Sequence, residues 1–137
     1  MPSRWLALWL SSCFALTAPA LACPLAREVQ AEQLYGLWRA EFAGQLPGAT
    51  LLFEKHPELA GSVRGAVNRQ SVQALVAGDV DDGEFTLEES NDGLRIAATW
   101  LGTVVPASCG QEIRGTWRPE PGQKAYPFVL KKLPARP

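Results

Sequence analysis

The spacing of apolar residues changes near residue 36, from a helical period before it to alternation after it. Residues 24–35 carry one apolar stripe at roughly helical spacing, and Pro24 suits the first turn of a helix. The apolar members of this stripe are Leu25, Val29 and then Leu34 or Tyr35. The sequence therefore predicts a short helix that ends at Gly36.

Short alternating runs after Gly36 predict about eight β-strands, with turn residues between them about every twelve positions. The predicted strands cover about 37–42, 49–55, 62–68, 72–80, 85–87, 94–100, 113–117 and 126–130. The Asp-Gly pairs at 82–83 and 92–93 favour the positive φ of tight hairpin turns. The fourth strand is apolar on both faces, so we expect both of its faces to be covered.

Strands joined by short hairpins need only local pairing, and such a series tends to close because closure removes exposed edges. The predicted fold is all-β: an up-and-down antiparallel barrel of about eight strands, with a short N-terminal helix and one disulfide. Residues 23–36 would form the helical cap, residues 37–132 the barrel and residues 133–137 a flexible tail. The interior of such a barrel holds side chains or one small ligand.

Residues 1–22 have the order of a secretory signal peptide: a basic residue, an apolar run and a small-residue cleavage point. Arg4 is the basic residue, residues 5–16 form the run, and Ala20 and Ala22 mark the cleavage point. The run is too short for a bilayer, which needs ~20 apolar residues. No later stretch suits a transmembrane segment, so we expect a periplasmic or secreted protein.

Two cysteines, Cys23 and Cys109, remain once the signal is removed, and an even pair in an exported chain predicts one disulfide. This bond would close a loop of ~86 residues, worth roughly 4 kcal/mol by the chain-entropy argument. The alternative is a lipid anchor at Cys23, because residues 20–23 resemble a bacterial lipobox. Lipidation would leave Cys109 as a lone thiol, which favours the disulfide.

Most residues that the alternation turns inward are aromatic. They are Trp38, Phe42, Phe53, Phe85, Trp100, Trp117, Tyr126 and Phe128. Since one aromatic side chain buries ~150–250 Å², this set is large enough to fill a small barrel. Gly65, Ala98 and Gly115 are inward and small, which would instead leave room for a ligand. The sequence leaves both outcomes open.

A short helix followed by Gly36, Leu37 and Trp38 at the start of an eight-strand series resembles the calycin superfamily, which includes lipocalins and avidins. The resemblance implies that Trp38 closes one end of the barrel under a basic residue after the last strand. That residue would be Lys131 or Lys132. From the residues alone, Trp38 also fits a core tryptophan beside a helix-ending glycine.

The open end of a calycin-like barrel would hold the ligand, and avidin-like proteins use tryptophans with a ring of polar side chains there. The candidate ligand-binding residues are Trp100, Trp117, Phe85 and Tyr126. Because small-molecule sites are mostly apolar with few polar groups, we expect a small apolar or amphipathic ligand. No polar ring is identified from the sequence.

The charged residues argue against several classes of function. The 13 basic and 14 acidic residues form no basic stripe, which argues against a nucleic-acid partner. The acidic group at 79–89 lacks the spacing of a calcium loop, and His56 has no second ligand or triad partner nearby. Glu88 and Glu89 point to opposite faces of a strand. We interpret all of these as surface residues and predict no catalytic residue, metal site or cofactor.

The sequence thus favours an exported, non-enzymatic binding module for a small apolar or amphipathic ligand. The alternative is a protein-binding factor, such as an inhibitor of a secreted hydrolase or an envelope accessory protein, by analogy of fold. In that case the connection at 102–112, which holds Cys109, would contact the secreted or periplasmic partner.

Overall fold

A computed structural model describes residues 13–16, 22–120, 122 and 124–136. Within them the chain forms a closed barrel in which eight antiparallel strands follow one another in sequence order, and the first strand pairs with the last. The predicted all-β barrel is therefore confirmed. The predicted signal peptide lies mostly outside the described residues.

The regular elements begin with a 3₁₀ turn and one turn of α-helix, and strands follow from Gly36 onward. They are the 3₁₀ turn Ala26–Glu28, α1 Ala31–Leu34, β1 Gly36–Phe42, β2 Ala49–Lys55, β3 Ser62–Arg69, β4 Val72–Asp81, β5 Glu84–Ser90, β6 Ala98–Val104, β7 Glu112–Pro119 and β8 Tyr126–Lys132. Residues 133–136 have no regular structure, although the Leu133 amide donates to the Leu37 carbonyl.

The helical segment is shorter and more divided than the prediction of one helix over 24–35. Each of the two helical turns has its own cap, a side chain of the turn that accepts a hydrogen bond from the amide of the residue before it. The Glu28 carboxylate accepts a hydrogen bond from the Leu25 amide at 3.2 Å, and the Gln33 side chain accepts one from the Gln30 amide at 2.6 Å. Because Gln30 is extended and begins a new turn, the first turn does not continue into the second.

The predicted sixth strand began too early. β6 starts at Ala98, whereas Leu94 and Ile96 lie in an exposed loop on the outside of the barrel. The Asp92 carboxylate accepts hydrogen bonds from the Leu94 and Arg95 amides at 2.8 and 2.9 Å. These amides are therefore held in a turn rather than in the sheet ladder.

The expectation that both faces of the fourth strand are covered is wrong. Leu75 lies on the outer face of β4 and is largely exposed, and Val72, on the inward-facing side, is exposed at the end of the strand. A closed barrel buries only its inner face, so apolar side chains on the outer face meet solvent unless another element covers them.

Successive hairpins alternate between the two ends of the barrel. The helix end is the end that carries α1, together with connections 56–61, 82–83 and 105–111. The far end is the opposite one and carries connections 43–48, 70–71, 91–97 and 120–125. At the helix end the Trp38 indole donates to the Leu34 carbonyl at 2.7 Å, which packs α1 onto the barrel.

The Cys23–Cys109 disulfide is confirmed, and it ties the segment before α1 to connection 105–111. A sulfur in this bond cannot also form the thioether bond to a lipid, so a lipid anchor on the Cys23 sulfur is incompatible with the intact disulfide. A disulfide is consistent with an oxidising compartment.

Aromatic side chains fill much of the barrel interior. Trp38 and Phe85 lie on either side of Phe53 with ring centroids 6.1 Å away in each case. Toward the far end, Trp100 contacts Phe128 at 5.0 Å. Trp38, Phe53, Phe85, Trp100 and Phe128 are all fully or almost fully buried.

The inward glycines do not create space for a ligand. A Cβ atom added at Gly65 would lie 1.7 Å from the Leu52 carbonyl oxygen, and one at Gly115 would lie 1.9 Å from the Leu101 carbonyl oxygen. The backbone of the neighbouring strand therefore occupies the position that a side chain would take.

Candidate functional site

The structure brings three of the four candidate ligand-binding residues together at the far end. The rings of Trp100 and Trp117 lie 6.2 Å apart, and those of Trp117 and Tyr126 lie 6.0 Å apart. Trp100 is fully buried, whereas Trp117 and Tyr126 are half-buried. Phe85 packs instead on Phe53 nearer the helix end.

The basic residue at the helix end is Lys132 rather than Lys131. The Lys132 ammonium donates to the Gln33 carbonyl at 2.7 Å, and its side chain passes 3.5 Å from the position of a Cβ atom at Gly36. Burial lowers the pKa of Lys132 below its ordinary value. Lys131 points outward, 3.5 Å from a Glu112 carboxylate oxygen.

Two charged residues at the far end were interpreted wrongly or overlooked. Glu89 was predicted to be a surface residue, but only 3% of it is exposed, and it is the one buried charged residue in the described chain. Arg69, at the end of β3, reaches into the barrel beside it. The alternation contains the missing signal: Phe85 and Leu87 point inward, so Glu89 must do the same, and Arg69 follows inward Val67.

Glu89 accepts four hydrogen bonds inside the barrel. Arg69 donates one Nη to each carboxylate oxygen, at 2.9 and 3.3 Å, in a forked pair. The indole nitrogens of Trp100 and Trp117 donate to Oε2 of Glu89 at 3.1 and 3.2 Å. We call Arg69, Glu89, Trp100, Trp117 and Phe42 the Glu89 cluster.

Aromatic rings flank the guanidinium of the Glu89 cluster. The Arg69 Cζ atom lies 4.7 Å from the Trp117 ring centroid and 6.0 Å from that of Phe42, within the range of cation–π attraction. The Nε atom of Arg69 is buried and has no hydrogen-bond partner among the described residues. A carboxylate buried inside a barrel is tolerated when it is paired with a cation and its oxygens accept hydrogen bonds.

A second feature lies on the outside of the barrel, where connection 91–97 lies over the outer faces of β2 to β5. The space between them, which we call the outer groove, has a volume of about 590 Å³. Its apolar lining includes Leu52, Ala66, Leu75, Ala77, Leu94 and Ile96. Leu94, at the loop tip, is 90% exposed.

The apolar lining of the outer groove continues as a row across neighbouring strands. Leu37 of β1 is opposite Leu52, Leu52 is opposite Ala66, and Ala66 is opposite Leu75. Beside this row run Glu54 and Arg64, which are also opposite each other. The outer face therefore offers an apolar strip with charges of both signs along one side.

The other candidate groups have structural roles. His56 Nδ1 accepts hydrogen bonds from the Glu58 and Leu59 amides at 3.1 and 2.9 Å, which closes the turn between β2 and β3. In the part of the chain that the structure covers, no group of three or more His, Cys, Asp or Glu is arranged to hold a metal ion. None of the helices described there is long and apolar enough to cross a membrane.

The sequence matches no model of a known protein family, and comparison with curated proteins gives no significant match.

Proposed function

We propose that this protein is an exported, non-enzymatic binding module and that its partner is another exported protein, which docks an apolar segment in the outer groove. The observation that carries the proposal is the contrast between the two sides of the barrel wall. The interior is occupied by buried aromatic side chains, whereas large apolar side chains on the outer face are exposed. Exposed apolar patches with polar rims are typical of interaction sites.

The shape of the outer groove favours a protein over a small ligand. A small-molecule site encloses most of its ligand, but the groove leaves Leu75 half-exposed and Leu94 almost wholly exposed. A protein surface would cover both side chains at once.

The charges of the groove favour the same class of partner. Arg64 and Arg95 line it together with Glu54 and Glu88. With both signs present, neither a purely anionic nor a purely cationic ligand gains a net attraction, whereas a polypeptide with mixed charges can pair with both.

Export and the calycin relationship belong to this proposal. The disulfide and the signal-like order of residues 1–22 support a periplasmic or secreted location. The packing of Trp38 under α1, with Lys132 beside the same helix, supports a calycin-like arrangement of the helix end. An inhibitor of a secreted hydrolase and an envelope accessory protein both fit such a partner.

The outer groove replaces connection 102–112 as the contact surface in this proposal. That connection spans only 105–111, and Cys109 within it is bonded to Cys23 at the helix end. Its Ser108 hydroxyl also donates to the Glu112 carbonyl. The segment therefore has a structural role of its own.

A second candidate function is binding of a small apolar or amphipathic ligand at the far end. The half-buried rings of Trp117 and Tyr126 favour it, because they form an aromatic surface that adjoins the charged side chains of Arg69 and Glu89. A ligand there would change the tryptophan emission, and an unchanged spectrum with a panel of lipids, haem and aromatic metabolites would contradict this function.

Two matched leucine variants test the protein-partner proposal. Leu75 lies in the groove and Leu101 lies on the outer face of β6, and each is 54% exposed. A partner captured from the native secretome and then purified should bind wild type and Leu101→Glu alike. Its affinity for Leu75→Glu should fall at least tenfold, since a carboxylate would replace the apolar contact and would lose its water when the partner docks.

The same two leucine variants also define the results that would contradict the protein-partner proposal. Equal binding to Leu75→Glu and wild type would place the partner elsewhere on the barrel. A purified partner that loses affinity equally for both variants would show that the groove is not selective, and a secretome without any partner that binds wild type would also count against the proposal.

A further inference from the structure

The Glu89 cluster has the composition of a cation-binding site: a buried carboxylate with aromatic faces around it. We propose that Glu89, Trp100, Trp117 and Phe42 form a binding site for a small organic cation bearing a guanidinium group, and that Arg69 occupies this site in the absence of ligand. The proposal does not rest on the outer groove: Glu89 is also among the residues that line the groove, but its side chain points into the barrel, where it pairs with Arg69.

The geometry selects a guanidinium over other cations. Two nitrogens of Arg69 each approach a different oxygen of Glu89, at 2.9 and 3.3 Å, which a planar fork can do and a single ammonium cannot. The Trp117 face, 4.7 Å from Cζ, suits a flat and weakly hydrated cation. The site thus recognises both the charge and the planar shape of its occupant.

The Glu89 carboxylate would keep its position if another cation replaced Arg69. Trp100 and Trp117 donate to Glu89 independently of Arg69, so two neutral donors continue to hold the carboxylate in place after Arg69 leaves. Glu89 would then be an oriented anion inside an aromatic site, which is the arrangement that a cationic ligand requires.

Two properties of the Arg69 side chain suit a displaceable group rather than a permanent one. Its side chain retains 23% exposure at the barrel end, so it has a path to solvent. Its buried Nε has no partner among the described residues, which lowers its net stabilisation.

Competition with Arg69 sets the expected binding strengths. A group attached to the same chain competes as if at high effective concentration, so wild type should bind an external guanidinium more weakly than a variant without Arg69. We expect butylguanidinium to bind Arg69→Ala at least tenfold more tightly than wild type. Loss of the Glu89 charge should remove binding in both backgrounds.

The test titrates the full chain with butylguanidinium and, as a neutral probe of the same shape, butylurea. Tryptophan emission and the indole N–H resonances of Trp100 and Trp117 report occupancy directly, because both indoles donate to Glu89. Concentrations stay well below those at which guanidinium salts unfold the protein. The variants are Arg69→Ala, Arg69→Ala/Glu89→Gln and, as a control at an exposed arginine, Arg114→Ala.

The proposal is supported by a saturable response of wild type to butylguanidinium alone, tighter binding to Arg69→Ala, no binding to the Glu89→Gln double variant and a wild-type response from Arg114→Ala. A response of Arg69→Ala without any response of wild type would overturn it, because Arg69 would then be a permanent structural group. Equal responses to butylurea would overturn it too.

Two further measurements keep the result decisive. If Arg69→Ala fails to fold, a comparison of wild type with Trp117→Phe tests the proposal. Removal of one indole N–H should weaken butylguanidinium binding several-fold. An unchanged affinity would contradict the proposed site. An N-acetylated, amidated arginine tested beside butylguanidinium separates the two sources of the group. Tighter binding of the N-acetylated, amidated arginine indicates that the natural ligand is an arginine side chain on a polypeptide. Tighter binding of butylguanidinium indicates that it is a free cation.

Discussion

Arg69 and Glu89 are separated by 20 residues and lie on β3 and β5, yet their side chains meet in a forked pair across the inside of the barrel. β4 lies between these strands in the sheet, so neither side chain is a direct cross-strand neighbour of the other. The pair joins strands that the backbone ladder does not connect. It therefore contributes to the closure of the far end as well as to the candidate site.

Removal of one member of this pair should be costly. Arg69→Met leaves the Glu89 charge buried without its counter-ion, and we expect the free energy of unfolding to fall by about 3–5 kcal/mol. Arg69→Met/Glu89→Gln should recover at least half of this loss, because the glutamine removes the charge but keeps an oxygen for the two indoles. Chemical denaturation of the single and double variants measures both values.

An ion pair at the barrel surface, whose arginine is largely exposed, provides the control for that cycle. Arg114 approaches Glu112 at 3.2 Å on the barrel surface, and Arg114→Met should cost less than about 1 kcal/mol. A double variant as unstable as Arg69→Met alone would mean that packing of the arginine stem, rather than the buried charge, dominates.

Much of the barrel was predictable from local patterns. The alternation from Trp38 to Phe42 places three side chains inside, and the Asp82-Gly83 pair forms the two-residue hairpin that its sequence predicts, with both φ values positive. Such features depend only on neighbouring residues. The eight strands then close in the one order that short hairpins allow.

The Glu89 cluster was harder to predict because it places charged residues at inward positions, where the alternating pattern leads one to expect apolar residues. Alternation places position 89 inside, but a glutamate there is expected to be exposed unless it has a partner. That partner, Arg69, lies two strands away in the sheet. The same limit applies to Leu94 and Ile96, whose alternation resembles a strand while the Asp92 turn holds them outside.

A substitution in the turn between β3 and β4 should increase the stability of the protein. Ser71 has a φ of 66°, a region that costs about 1 kcal/mol or more for a residue with a Cβ atom and very little for glycine. Ser71→Gly should therefore raise the free energy of unfolding by about 1 kcal/mol, because the amide that donates to Asn68 is retained. Ser62→Gly, at the start of β3, the strand before this turn, is the control and should lower the free energy of unfolding. A stabilising effect of both changes would contradict a turn-specific explanation.

The structure of connection 91–97 should depend on pH through Asp92. Hydrogen bonds from the Arg95 and Leu94 amides hold the pKa of this carboxyl below its ordinary value of 3.8. The stabilisation is therefore complete above that value and is lost as the pH falls through the lower pKa of the folded state. The amide resonances of Leu94 and Arg95 should shift together in this acidic range. In Asp92→Asn, which keeps an acceptor but does not titrate, these two resonances should not shift. An identical transition in that variant would assign the effect to another group.

The disulfide should provide a large part of the stability of the barrel. Cys23 and Cys109 are separated by 86 positions, and a loop of this length corresponds to about 4 kcal/mol in the chain-entropy account. Cys23→Ser/Cys109→Ser should lose about that much free energy of unfolding, and wild type with reductant should approach the same value. The double variant should itself be insensitive to reductant, which controls for effects of the reagent. Since α1 is also held by the Trp38 and Lys132 hydrogen bonds, we expect the variant to remain folded with the indole of Trp38 still buried. Unfolding of the double variant at the same denaturant concentration as oxidised wild type would show that the segment before α1 is held by its packing and that the covalent bond adds little.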